Sequence, residues 1–562
     1  MRYAFALTAV TAVFAAEMPK DEARAQELYD SGKRHQDLLN RKISHWVAEE
    51  EAGLMNSTKW PRLGYTKCVD GFAQAIPDSP AHKFRCKNID LYDFINHATL
   101  GSPNTDYRGK SGSSSWGWTD PESGREFIVS GMYDGVAFIE ILPEGRMHHV
   151  GFLPKWAPVG NRAYWTEIRP YKHYMVIGSE LEGNGIQIFD MKKLLDVKKA
   201  DAPMLFTNDK DLHGHFNETL PIGRSHNVVI NEEAKYGVAV GVQPRDEYCK
   251  GGLHFFSLDD PANPKALGCN GEDGYVHDML TSRWAQCLIY RGPDTRYQGR
   301  DICYGYNEDT LTIYDVTDKA NSTIISITSY EGAEYTHQGW VNDVNWQEYL
   351  FMDDEYDEVD ASGPSKDGYP TTYIWDIRDL EKPKQTGLFK AANRDIDHNL
   401  YVVGDLIYQS NYGAGMRVYD ISSVKKDPTG NGVCEIAYFD IHPEDDHLPS
   451  GGTVEFVGSW SSYAMFPSGF IFINTIERGG YLVKMTKREA CKPKTCSADN
   501  CLRAMRSGSI GGRLGESQKF CGEFTKTYVA DVAVVPEYAR QACQTNVISR
   551  VSSACSCLPT AP

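Results

Sequence analysis

The sequence predicts an all-β protein: a seven-bladed β-propeller with an N-terminal helix and a small disulfide-rich C-terminal module. Three observations predict it. First, seven short strand phrases recur, VAFIEI (136–141), IQIFDM (186–191), LHFFSL (253–258), LTIYDV (311–316), TYIWDI (372–377), MRVYDI (416–421) and YLVKM (481–485), and most end in an aliphatic or aromatic residue, an acid and an aliphatic. Second, each phrase follows an earlier strand-like segment, with spacings of about 45 to 65 residues, the size of one β-propeller blade. Third, CKNIDLYDFI (86–95) resembles these outer phrases but precedes the first full unit. An extra strand there can pair with the last unit and close a ring, which removes the exposed sheet edges. A solenoid would instead need polar end caps.

Taken in order, residues 1–16 (MRYAFALTAVTAVFAA) read as a secretory signal peptide, with one early Arg, a short apolar run and small residues at its end. Residues 17–64 form an N-terminal helical segment. Within it, Leu28, Leu38, Leu39, Ile43, Trp46 and Val47 make a helical stripe over 19–52 that packs on the main body or serves a dimer. The propeller is expected over 65–488, with DEYDEVDASGPSKDGYP (354–370) and RGPDTRYQGR (291–300) as insertions. The C-terminal module follows over 489–562.

The fourteen cysteines fit an oxidising compartment. Sequence neighbours suggest the pairs Cys68 with Cys86, Cys249 with Cys269 and Cys287 with Cys303, while the connectivity near the C-terminus stays open. Asn56, Asn217 and Asn321 head glycosylation sequons. A net charge of −18 argues against nucleic acid as a partner, because a basic stripe supplies most of that affinity. No segment beyond the leader reaches the ~18 apolar residues of a membrane span.

Aligning the starts of the units gives SSWGW (114–118), AYWTEI (163–168), SHNVV (225–229), VHDML (276–280), THQGW (336–340), DHNLY (397–401) and GTVEF (452–456). Trp116, Trp165, His226, His277, His337 and His398 then hold equivalent places, with Val454 or Glu455 in the seventh. First strands line a propeller channel, so these side chains are expected to meet around one axis. Neutral imidazoles there suit a divalent transition metal, with Asp278, Asp397 and Glu167 as added ligands. The four histidines are equally candidate catalytic acids and bases. Trp116, Trp118, Trp165 and Trp340 offer stacking faces for a sugar. A structural role, satisfying backbone groups between blades, competes with all three.

Asp353, Asp354, Glu355, Asp357, Glu358 and Asp360 pack six acids into eight residues, hard-oxygen chemistry that suits calcium. Their spacing lacks the hand-type loop pattern, so a solvated acidic loop is the leading expectation. His148–His149 and His213–His215 read as surface loop residues.

The phrases SHNVVIN, EYTHQGW, FMDDEYDE and DIDHNLYVVGDLIYQSNYGAGMRVYDI resemble the LVIVD-repeat, choice-of-anchor B extracellular family over roughly 65–488. That resemblance implies a secreted or surface-attached propeller and carries no catalytic residues over. Residues 491–557, through CSADNCLRAMRS, FCGEFT and SSACSC, resemble a Cys-rich module of secreted fungal proteins. The leading functional expectation is a secreted propeller that binds an extracellular glycan or surface protein at its channel mouth, at the cell wall or surface. The alternatives are a lyase or hydrolase acting on extracellular polysaccharide through the His ring, with or without metal, and a structural wall component.

Overall fold

The computed structural model describes residues 17–102, 111–159, 163–279, 287–448, 450–491, 499–524, 532–544, 547–555 and 557–558. The expected leader, 1–16, lies outside the described residues. Seven sheets, antiparallel except where Met204–Leu205 pairs parallel with Met147–Pro154, follow one another around a central channel. Their innermost strands are Gly112–Thr119, Thr166–Tyr171, Asn227–Asn231, Asp278–Met279, Thr336–Val341, Leu400–Val403 and Ser459–Tyr463, in blades 1 to 7. Each packs on the next, and blade 7 returns to blade 1. At that junction Ser115 Oγ lies 3.0 Å from Ser461 Oγ, and Asn474 Nδ2 donates to the Ser113 carbonyl at 2.9 Å.

Middle strands such as Glu126–Met132, Tyr236–Val240 and Phe470–Thr475 are buried along their whole length. Neighbouring blades cover both faces of them, so they read as continuous apolar runs rather than alternating ones. The recurring phrases occupy the third strand of each blade rather than the outermost, for a fourth strand lies outside them. Their repeated acid has a local cause. Asp190, Asp315, Asp376 and Asp420 each accept a hydrogen bond from the backbone N–H two residues on, which turns the chain out of the strand.

Ring closure falls where the early strand predicts. Ile89–Asn96 pairs antiparallel with Gly479–Met485 and forms the outer edge of blade 7. Just before it, Lys83–Lys87 and Phe72–Gln74 extend blade 6. Cys68–Cys86, Cys249–Cys269 and Cys287–Cys303 are bonded as the spacing suggests. Cys434–Cys491 ties the C-terminal module to blade 6. That module is a small helical cluster around Leu502, Met505 and Val551, held by Cys501–Cys543 and Cys521–Cys555. Its core is too small to stand without such links.

The N-terminal helix is broken by Gly32 in the left-handed region (φ 73°), and the longer piece, Lys33–Glu51, lies across one mouth of the channel. His148–His149 and His213–His215 sit on strands Met147–Pro154 and Leu212–Phe216, half-buried rather than in loops, and His215 stacks on Trp156. Of the sequon asparagines, Asn217 and Asn321 are exposed and Asn56 is half-buried. Among the described residues no helix is long and apolar enough to cross a membrane.

Phe94, 1% exposed on the closing strand, packs on Tyr481. Phe94→Ala is expected to lower stability by about 3–5 kcal/mol in urea unfolding. A loss under about 1 kcal/mol would mean that this strand is not what holds the ring shut.

Candidate functional site

The channel has one end covered by the helix and one end open. At the covered end, each histidine stands at the start of a first strand, where the blade backbone enters the channel. The four rings form a chain: His226 to His277 at 4.1 Å between centroids, His277 to His337 at 4.9 Å and His337 to His398 at 4.5 Å. Trp460 continues it 4.9 Å from His398, and Trp165 lies 6.3 Å beyond Trp460. The seventh place therefore belongs to Trp460, not Val454 or Glu455. The blade-7 strand begins only at Ser459, and the preceding residues are loop.

Each histidine uses Nδ1 outward. The partners are Glu180 Oε1 at 2.5 Å from His226, the His337 carbonyl at 3.3 Å from His277, Asp353 Oδ1 at 3.1 Å from His337 and the Trp460 carbonyl at 2.7 Å from His398. All are acceptors, which assigns the proton to Nδ1 and leaves the lone pair on Nε2. For two rings that lone pair meets one carboxylate: His398 Nε2 is 3.4 Å from Glu355 Oε1, and His337 Nε2 is 3.9 Å from Glu355 Oε2. Glu355 Oε1 also accepts from Lys42 Nζ and Tyr412 Oη, both at 2.5 Å, whereas Oε2 is buried without a hydrogen-bond partner.

Burial opposes charge on Glu355, but Lys42, His337 and His398 outweigh it and hold the carboxyl at about 2. Burial likewise opposes charge on Glu180, and His226 and Arg224 hold it at about 2. Burial pushes His398 down to about 4, and His277 and His337 well below the ordinary imidazole range. Burial raises Asp278 to about 7. Around Glu355 the ring thus sets the neutral imidazoles of His337 and His398 against an ionised carboxylate.

Glu167, Asp278, Asn227 and Asn399 line the cavity just below His226, His337 and His398; its volume is about 10 Å³, room for about one water. Asp397 does not join them: it is buried, with Oδ2 3.5 Å from Gln409 Nε2. Among the described residues the group compact enough for a metal is His337, Glu355 and His398, whose ligand atoms all lie within 4.8 Å of one another.

The acidic run is not a solvated loop. Asp353, Asp354, Glu355, Asp357 and Glu358 are buried, and only Asp360 reaches the surface region, paired with Arg34 at 2.7 Å. The run turns inward because its partners are internal. Asp354 accepts from the Tyr335 N–H and the Tyr330 hydroxyl, Asp357 from Ser365 and Tyr373, and Glu358 from the Thr371 N–H. Asp357 and Glu358 hydrogen-bond each other, but among the described residues no three of these carboxylates come within 4.8 Å of one another as calcium ligands would. Of the six, Glu355 reaches the Nε2 side of the His ring and Asp353 meets His337 at Nδ1.

The helix completes the covered end. Trp46 is fully buried, donates to the Phe456 carbonyl at 2.8 Å and packs on Trp165 and Trp460. His35 Nδ1 lies 2.6 Å from Tyr335 Oη. Lys20–Asp273, Arg24–Glu334 and Arg34–Asp360, each at 2.7 Å, pin the segment to blades 3, 4 and 5 and their connections. None of the four predicted tryptophans presents a free stacking face: Trp116, Trp118, Trp165 and Trp340 are all 6% exposed or less. Trp165 lies under the helix. Trp116 lies deeper in the channel, where Arg169 sits over its ring and Tyr401 and Tyr463 pack at its edge, because a register shift between Gly112 and Ser115 moves it down one layer.

Trp118 and Trp340 instead form the walls of clefts at the open end. There, clefts of about 550, 470 and 340 Å³ run around the mouth. The first two share Val344 and Asn345, and the last two share Lys172 and Glu232. Trp346, on the loop between the first two, is 44% exposed.

No family model matches the chain, and no curated protein matches it. Among solved structures the chain is similar to the computationally designed Ika8 protein, at 11% identity and a TM-score of 0.36, covering 66% of this chain and 82% of that one. It is also similar to the C-terminal WD40 domain of Sif2, at 12% identity and a TM-score of 0.39, covering 75% and 97%.

The depressed His398 has a stability consequence. Between its unfolded value of 6.5 and its folded value of about 4, the unfolded chain binds a proton that the folded one does not, so its contribution is full above pH 6.5 and is lost as pH falls. Relative to His398→Gln, the wild type is expected to lose about 3 kcal/mol between pH 7 and pH 4 in urea unfolding. A difference that does not change with pH would contradict the buried neutral imidazole.

Proposed function

We propose that the protein is an extracellular propeller that binds an uncharged glycan chain along its open channel mouth. The carrying observation is the arc of linked clefts, whose largest member, about 550 Å³, is walled by Trp340, Tyr349 and Phe466. Its size falls in the range of ligand sites, and its continuation into two further clefts suits an extended ligand rather than a compact one. Positive and negative groups alternate around the mouth and partly pair, as Arg291 does with Glu233 at 2.8 Å, so no single charge is favoured. The exposed Trp346 supplies the stacking face that the buried tryptophans do not. Described disulfides and the resemblance to an extracellular repeat family support the location. The covered end offers no room for a sugar ring beside the histidines, which weighs against a polysaccharide-cleaving role there.

A glycan array followed by calorimetry tests this reading. Trp346→Ala, on an exposed loop, is expected to fold normally and weaken binding at least tenfold, about 1.4 kcal/mol. Unchanged affinity, or binding to proteins and to no glycan, would contradict it.

A further inference from the structure

The second inference goes beyond that reading and concerns the opposite end of the channel. We propose that His337, His398 and Glu355 form a binding site for a divalent transition metal, with Lys42 of the mouth helix as the resident cation that must withdraw when the ion enters.

The ligand set carries the chemistry. Two imidazoles and one carboxylate suit zinc, cobalt or iron(II) rather than calcium or magnesium, which prefer all-oxygen sites. The distances are close to what an ion needs: ligands about 2.1 Å from a tetrahedral metal lie about 3.4 Å from each other. Glu355 Oε1 is already 3.4 Å from His398 Nε2, and Oε2 is 3.9 Å from His337 Nε2. The tautomers are prepared as well. Asp353 and the Trp460 carbonyl hold the two Nδ1 protons, the outer-shell arrangement that presents Nε2 to a metal.

An independent observation points to an absent ligand. Glu355 Oε2 is fully buried with no hydrogen-bond partner, beside an imidazole nitrogen too far away to bond it. A buried carboxylate oxygen left this way loses its solvation without compensation. Lys42 answers only the other oxygen. An ion bridging Oε2 and the two Nε2 atoms would satisfy it, and repulsion from the dication would expel the Lys42 ammonium.

The test titrates the full-length, chelator-stripped protein with Co²⁺, read by visible absorption and calorimetry, with Ca²⁺ as control. The wild type is expected to bind one Co²⁺ with nitrogen-ligand absorption and to show no Ca²⁺ binding there. Lys42→Met is expected to bind Co²⁺ at least tenfold more tightly. His337→Ala with His398→Ala in the Lys42→Met background is expected to lose at least tenfold while keeping its circular dichroism. Should Lys42→Met fail to fold, wild type against His398→Gln carries the test, with a tenfold loss expected. Absence of stoichiometric Co²⁺ binding in the folded wild type and Lys42→Met, or affinity unchanged by loss of the histidines, would overturn the proposal. Neither result bears on glycan binding at the open mouth.

Discussion

Closure of the ring through Ile89–Asn96 is the constraint on which the rest of the structure depends. A seven-sheet ring without it would leave Gly479–Met485 as a bare edge and blades 7 and 1 free to part. The closing strand comes early in the chain, and the segment before it is held against it. Leu63 and Thr66 bridge to Phe94 and Leu91, and the mouth helix extends from there across the channel. The two ends of the channel differ for that reason: one receives the helix and the other does not.

At the covered end the dominant interaction is electrostatic. Taking Glu355 and Lys42 out of water costs several kcal/mol per ion, and their contact offsets that only with help from the Tyr412 hydroxyl, which donates to the same carboxylate oxygen. Removing one partner of such a pair typically costs about 3–5 kcal/mol, because the other charge stays buried and uncompensated. The pair therefore fixes where the helix lies, and Trp46, packed among Trp165, Trp460 and Tyr164, adds the apolar contact that holds it there. Among the described residues the open end has no equivalent: its walls are the loops after first strands and after third strands, and Trp346 there is exposed.

Much of the fold was legible in the sequence because a propeller repeats its physics. Third strands meet similar buried surroundings, and in four of the seven the turn that follows is capped by an Asp, so VYDI-like phrases recur. The four histidines were legible for the same reason, one per blade at one place. What escaped was non-repeating. Trp460 was hidden by the late start of the blade-7 strand. Trp116 was misplaced by a register shift that a residue count cannot show. Glu355 was read as one of six surface acids, although it and Glu180 each stand one residue beyond a second strand, as does Tyr412; that shared offset was the available signal. Lys42 lies outside the repeat altogether, on a helix whose stripe predicted packing but not its target.

One end of the channel is sealed by the helix and the other is open. Hydroxyl-radical footprinting of the native protein tests that asymmetry most directly. Rapid oxidation of Trp346 is expected, together with protection of Trp46, Trp165, Trp460, His337 and His398 until the protein unfolds. Oxidation of Trp46 and Trp165 at rates close to that of Trp346 would contradict it, because the helix would then not cover the histidine end in solution.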